Sequence, residues 1–447
     1  MKTVRILTPT GCLGGGFWPN ALDRGMSMKP DVIAVDAGST DPGPSFLGTG
    51  LPMMSNRIIK KEIAALLPVA RKAGIPFIIG SSNGAGTNAG VDNIVSIVKD
   101  VAKENGLHFK LAKIYSDVPK ERVISAIQAG EIRDFEAGLP LKAEDVQAST
   151  GLVGQMGDEP FREALDQGAD VIVAGRSCDD SAIAAFAIWK GIDPSLAIHM
   201  GKILECGAIS AEPGAMDVML GTIDDKGFVL EPGSLNRRAT VKSIAAHTLY
   251  EREDPFTQYG PGRMQDMREC TFEQLDERRV RVSGTRGERY DDYWIKLEGA
   301  KPVGYRSFAL AGVRCPTMIR NLDSVLEGIE KLTREKVTDP SLRIVFAKYG
   351  ANAVMQGLET DKSVPHEIGL VVEATADSEE VAYDAAVIMA GKVNHAMFPG
   401  VKNTAGSVAY RYSPRIHNLG VQYEFSVYHL MKVKSPLELF PVVMEEV

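Results

Sequence analysis

Two aspartates five residues apart, Asp36 and Asp41, close an apolar run in VIAVDAGSTDPGP (32–44), with Ser39 and Thr40 between them. Paired carboxylates beside hydroxyls can move protons on a small substrate, or hold a hard divalent cation through oxygen. Turn chemistry alone explains Asp41, because Asp before Pro-Gly is ordinary turn sequence, but it does not explain Asp36. A second group is AGRSCDDSA (174–182). Arg176 suits a two-point clamp on a carboxylate, and Cys178, Asp179 and Asp180 stand where a helix would begin. Capping needs one acid there, not an Arg, a Cys and two Asp together.

Two glycine-rich stretches complete the set. TPTGCLGGGFW (8–18) carries Gly15 and Gly16, and GSSNGAGTNAG (80–90) carries Ser81, Ser82, Asn83 and Gly84. Backbone N–H groups in such loops can hold a phosphate or carboxylate. The residues therefore predict Asp36, Asp41 and Asp179 as catalytic acids or, together, as ligands of a divalent metal. Gly15, Gly16, Ser39, Thr40, Ser81, Ser82, Asn83, Gly84, Arg176, Cys178 and Asp180 are expected to bind substrate. No G-x-G-x-x-G, Gly-Lys-Ser/Thr, G-x-S-x-G or H-E-x-x-H pattern occurs, so no cofactor is identifiable from a motif. Cys12, and Cys206 in ECGAISAEPG (205–214), read as small buried hydrophobes.

These groups need a frame that brings them together. Short apolar runs at 4–9, 31–36, 75–80, 108–116 and 170–176 look like parallel strands buried on both faces. Helical patterns lie between and after them at 56–74, 91–106, 119–132, 158–169 and 181–191. The alternation predicts an α/β domain with a doubly wound, mostly parallel, Rossmann-like sheet over 1–215. Ligands in such folds bind outside the carboxyl ends of the strands, which is where every residue named above falls. From 216 to 447 the texture changes to turn-separated alternating strands with a few helices, at 241–252 and 377–398. A smaller α+β domain of antiparallel strands is expected there.

The 447 residues carry a net charge of −8, with 44% hydrophobic and 24% charged side chains, the balance of a water-soluble globular chain. No continuous basic stripe occurs, so nucleic acid is not an expected partner. No apolar run approaches the ~20 residues that span a bilayer, and no signal peptide is evident, so a cytoplasmic protein away from membranes is expected. Five dispersed cysteines without C-x-x-C fit a reducing compartment.

GGGFWPNALDRGMSMKPDVIAVDAGSTDPGPSFLGTG (14–50) resembles the opening of the acyclic terpene utilisation (AtuA-type) family. Further matches keep the order: GADVIVAGRSCDDSA (168–182), ILECG (203–207), SIAAHTLYE (243–251), HEIGLVVEATADSEEVA (366–382) and FPGVKNTAGSVAYRYSP (398–414). Two departures stand out: Asn83 and Asn88 replace other small residues, and Cys315 stands where relatives tend to have Asp. The resemblance implies carboxylate or acyl-CoA catabolism. The segment at 421–443 resembles a join to a small companion domain, implying a separate partner protein.

The leading expectation is an enzyme of the lyase, hydratase or isomerase class acting on a small (hydroxy)acid or its CoA thioester, and working as a homo-oligomer. An alternative is a non-catalytic acyl-binding subunit serving a small partner protein. A nicotinamide-dependent oxidoreductase is the lesser alternative.

Overall fold

The computed structural model describes residues 2–135, 138–251 and 254–447. They group into two compact units, one of residues 1–301 and 425–447, the other of residues 302–424. The chain is mixed α/β, with mostly antiparallel strand pairs and one sheet that contains parallel strands.

Five apolar runs form the parallel part of the first unit: β1 (Val4–Thr8), β2 (Val32–Asp36), β3 (Phe77–Gly80), β4 (Lys110–Ile114) and β5 (Val171–Ala174). Between and after them lie α1 (Pro19–Ser27), α2 (Asn56–Ala73), α3 (Asn88–Asn105), α4 (Lys120–Ala129), α5 (Glu159–Asp166), α6 (Asp179–Trp189) and α7 (Pro194–Leu204). Side chains of alternate strand residues enter opposite cores. Leu7, Ile33, Val35, Phe77, Ile79 and Val173 pack against α1, α2 and α3. Ile6, Val32, Ala34, Ile78, Ile172 and Ala174 pack in the core that holds α4 to α7. Strands buried on both faces can be apolar nearly throughout, and that makes a polar residue at their ends conspicuous.

The strand order corrects one expectation. Antiparallel β6 (Met219–Asp224), β7 (Gly227–Pro232), β8 (Thr271–Gln274) and β9 (Val280–Ser283) extend one edge, and β10 (Val442–Glu446) extends the other. Among the described residues the sheet runs β8-β9-β7-β6-β1-β2-β3-β5-β4-β10. The parallel strands all lie on one side of β1, with β5 between β3 and β4, and the other neighbour of β1 is antiparallel β6. The order reversal beside the first strand that defines a Rossmann-like, doubly wound sheet is not found. The reason is local. The β6–β7 hairpin zips onto β1 from Val4↔Ile223 to Thr8↔Met219 and takes the place a returning parallel strand would need. Residues 216–301 accordingly pack in the first unit, across the expected boundary at 215.

The second unit has its own core. Strand Ile368–Ala376 pairs antiparallel with Arg343–Tyr349, and its alternate residues Ile368, Leu370, Val372 and Ala374 are buried. Helices Leu322–Lys336 and Glu379–Asn394 contribute Leu322, Leu326 and Ile329, and Ala386, Met389 and Val393, to the same cluster. The helix expected over 241–252 runs Val241–Leu249, and Arg252 lies outside the described residues. No helix among the described residues is long and apolar enough to cross a membrane.

Candidate functional site

Asp36 is the last residue of β2 and is 6% exposed. Its Oδ2 accepts the Gly38 N–H at 3.2 Å, while Oδ1 is buried without a hydrogen-bond partner. Burial, reinforced by the Asp179 charge, pushes its carboxyl up to about 7 against the opposing pull of Arg176. Two glycines make the close approach possible. A β-carbon on Gly80 would stand 2.8 Å from Ala182 Cβ, 2.9 Å from Ser177 Oγ and 3.3 Å from Asp36 Oδ1. Gly38, at φ +145°, lies so close to the Gly84 backbone that no side chain fits.

The first glycine loop does not present a vacant anion cradle. Gly14 and Gly16 donate their N–H groups to the Glu62 carboxylate of α2 at 2.6 and 2.8 Å, and Gly15 donates to Cys12 O at 2.8 Å. Of the two glycines expected to bind substrate, Gly16 gives its N–H to the protein's own carboxylate and Gly15 gives its N–H to a backbone carbonyl. The second loop behaves alike. Ser81 and Ser82 donate N–H to Gly175 O and Ala174 O, Gly84 to Ala37 O, and Gly86 to Ser82 O. Asn83 Oδ1 accepts from Asn93 at 2.9 Å, and Thr87 caps α3 through the Gly90 N–H. The loop is a hub that joins β2, β3 and β5, and Ser82 Oγ is left buried and unpartnered.

Arg176 is fully engaged. Its Nε donates to Glu298 Oε2 at 2.7 Å and Nη2 to Oε1 at 3.4 Å. Nη1 reaches Ser177 O and Asp179 Oδ1, each at 3.2 Å, and Ser81 Oγ at 3.4 Å. The expected substrate clamp is thus closed on an internal carboxylate. Glu298 lies in strand Tyr293–Val313 and is fully buried. It also accepts from Thr40 Oγ1 at 2.9 Å and pairs with Lys296 at 3.0 Å. Burial alone would raise its carboxyl, but Arg176 and Lys296 outweigh that and hold it at about 2. Sequence reasoning missed Glu298. It sits among antiparallel strands, 122 positions from Arg176, with no local motif to mark it.

Asp179 opens α6 with its side chain one-third exposed, and its charge helps raise Asp36, Cys12 and Glu205. Asp180 is buried and accepts from Gln258 Nε2 at 2.7 Å and Ser181 Oγ at 2.9 Å. Burial and the two neighbouring aspartates push the Cys178 thiol up, which opposes a dipole-stabilised thiolate. Asp41 is exposed; Ser39 Oγ accepts its N–H at 3.0 Å in a local turn. The expected Asp36, Asp41 and Asp179 metal set is therefore not assembled. Among the described residues no group of three or more His, Cys, Asp and Glu side chains is placed to hold a metal ion.

Another group joins this edge from the end of α7. Lys202 pairs with Glu205 at 2.6 Å and Glu251 at 3.0 Å, and Cys206 Sγ lies 2.8 Å from Tyr250 OH. Burial pushes the Glu205 carboxyl well up against the pull of Lys202, and its Oε2 has no partner. The Cys206–Gly207 backbone packs on Thr10–Gly11: a β-carbon on Gly207 would come within 2.9 Å of Gly11 N. The hydroxyls of Thr8 and Thr10, both fully buried, are likewise unpartnered. The signal for Glu205 was its place at the end of an apolar helix, inside the matched motif ILECG (203–207).

Beyond Cys178 opens a cavity of about 700 Å³, lined among others by Phe135, Tyr259, Tyr290, Trp294 and Lys296. Lys296 ties it to the edge, since the same ammonium pairs with Glu298 and donates to Tyr428 OH at 2.9 Å.

The family model described as acyclic terpene utilisation family protein AtuA matches residues 56–417. A search of curated proteins found no match, and a search of solved structures found none either.

Proposed function

Since the chain belongs to the acyclic terpene utilisation family, we propose that it is a catabolic enzyme that works by carboxyl acid/base chemistry on a small oxygenated organic substrate. The substrate class is a hydroxy acid or its thioester, and the reaction a lyase, hydratase or isomerase step. The observation that carries this reading is the Asp36 carboxyl: buried, raised to about 7, with one oxygen unpartnered at the carboxyl edge of the parallel strands. A group that titrates near neutrality is populated in both protonation states and transfers protons efficiently in either direction.

Two carboxyls in different environments can divide the work. Asp36 as carboxylate takes a proton from the carbon next to the substrate carbonyl, and the electron pair moves toward that carbonyl oxygen. Glu205, whose carboxyl burial raises against the pull of Lys202, gives a proton to a departing hydroxyl, which leaves as water. The reverse sequence is hydration. Thr8, Thr10 and Ser82 supply unpartnered hydroxyls that can orient the substrate oxygens. Arg176 and Glu298 hold the frame and set the field.

The test is Asp36→Asn on a panel of hydroxy acids and thioesters. A folded variant is expected to lose about 10²–10⁴-fold in kcat/KM, and the wild-type profile should show a limb near pH 7. Near-normal turnover by a correctly folded variant removes Asp36 from the mechanism. A non-catalytic ligand-binding subunit is the second reading, favoured by the aromatic-walled cavity beside Cys178. It predicts binding without turnover on every member of the panel.

A further inference from the structure

The edge that holds Asp36 has two kinds of polar group. The first are the groups that ordinarily bind anions, and the protein has occupied each with its own acceptor. The Arg176 guanidinium is on Glu298 and Asp179, and the Lys202 ammonium on Glu205 and Glu251. The N–H groups of Gly14 and Gly16 are on Glu62. The second are buried polar atoms with no partner: the hydroxyls of Thr8, Thr10 and Ser82, Asp36 Oδ1 and Glu205 Oε2. Each of these five residues is more than nine-tenths buried. Unpartnered buried polar atoms are costly, and a group of them on one sheet edge calls for a ligand that supplies hydrogen bonds.

We propose that this edge recognises the uncharged form of its substrate, the carbonyl and hydroxyl groups of a thioester or ester, and rejects the free carboxylate. The proposal rests on the acid/base reading above and narrows it to one of its two substrate classes. Three hydroxyls and two carboxyls can satisfy a carbonyl oxygen and a hydroxyl, which both accept and donate without bringing charge. A carboxylate would find no unoccupied cation among these groups and would stand in the field of Asp179, beside Asp36 and Glu205. Burial and the Asp179 charge already raise those two carboxyls, and a substrate carboxylate would meet the same penalty.

The experiment uses the full chain and titration calorimetry. The probes are linear and branched 3-hydroxy acids, each as the free acid, the methyl ester and the N-acetylcysteamine thioester. Ester and thioester are expected to bind at least about tenfold more tightly than the matching acid at neutral pH. The methyl ester separates charge from recognition of the thiol moiety. Equal or tighter binding of the free acids, or no binding of any neutral probe, overturns the proposal. Asp36→Asn keeps the two ideas apart. Normal turnover by that variant removes the acid/base role while the preference for neutral probes stands. Lost turnover with tight free-acid binding in the wild type does the reverse.

Discussion

Asp36 ties stability to pH as well as serving the chemistry. Its folded-state pKa of about 7 lies above the ordinary value near 4, so folding takes up a proton between those two limits. The stabilisation is full below about pH 4 and is lost as pH rises through about 7. Relative to Asp36→Asn, the wild type should therefore lose stability across that window by up to about 1.4 kcal/mol per pH unit, read from urea denaturation at several pH values. A flat difference between the two proteins would show that Asp36 is ionised throughout. Glu298 carries the opposite sign. Held at about 2, it contributes stability that is present above its ordinary value and lost as pH falls toward about 2. Glu298→Gln takes the main counter-charge from buried Arg176, leaving it Asp179, and should cost about 3–5 kcal/mol at neutral pH. Adding Arg176→Met should return part of that loss, because it removes the buried charge that has lost its main partner. A double variant no more stable than the single one would mean that the pair is not the source of the cost.

At the scale of elements, the glycine loop after β1 shows how much an isolated sequence hides. Three consecutive glycines predict exposed N–H groups, and the loop does turn sharply with Gly14 and Gly16 at positive φ. The acid that fills it, Glu62, lies inside an amphipathic helix, where a charge ordinarily reads as solvent-facing. Glu62→Ala should leave two N–H groups unsatisfied and cost about 2–3 kcal/mol. It should also create the anion cradle that the sequence suggests, so that formate raises the variant's melting temperature and leaves that of the wild type unchanged. No response to formate would mean that the loop refolds around other acceptors. The strands themselves were legible: the apolar runs at 31–36 and 170–176 became Val32–Asp36 and Val171–Ala174. Burial on both faces leaves a hydrophobic run whatever the neighbours are. Strand order was not legible, because pairing β6 to β1 depends on a hairpin some 210 residues downstream with no local mark. The site was legible in part for the same reason. Asp36, Arg176 and Asp179 stand at the ends of the runs that position them, whereas Glu298 and Glu62 reach the edge only through tertiary packing.

At the scale of the whole molecule, every side chain placed at the edge belongs to residues 1–301 or 425–447, while residues 302–424 bury a core of their own. The two places where the chain leaves and re-enters the first unit are close in space: a β-carbon on Gly299 would stand 2.8 Å from Val427 Cγ2. Lys301 lies two residues after Gly299 and Phe425 two residues before Val427, and a two-residue Asn-Gly turn is the shortest natural link between antiparallel strands. A chain in which this turn replaces residues 302–424 should therefore fold, since both cores of the parallel strands lie in what remains. It should unfold cooperatively, and it should keep the stability difference from its own Asp36→Asn variant between about pH 4 and about pH 7. Retained secondary structure with loss of that difference would mean that residues 302–424 are needed to hold the Asp36 environment. An unfolded product would mean that the first unit is not stable without them. If the shortened protein also discriminates neutral probes from free acids, both recognition and proton transfer reside in the unit that carries the parallel strands.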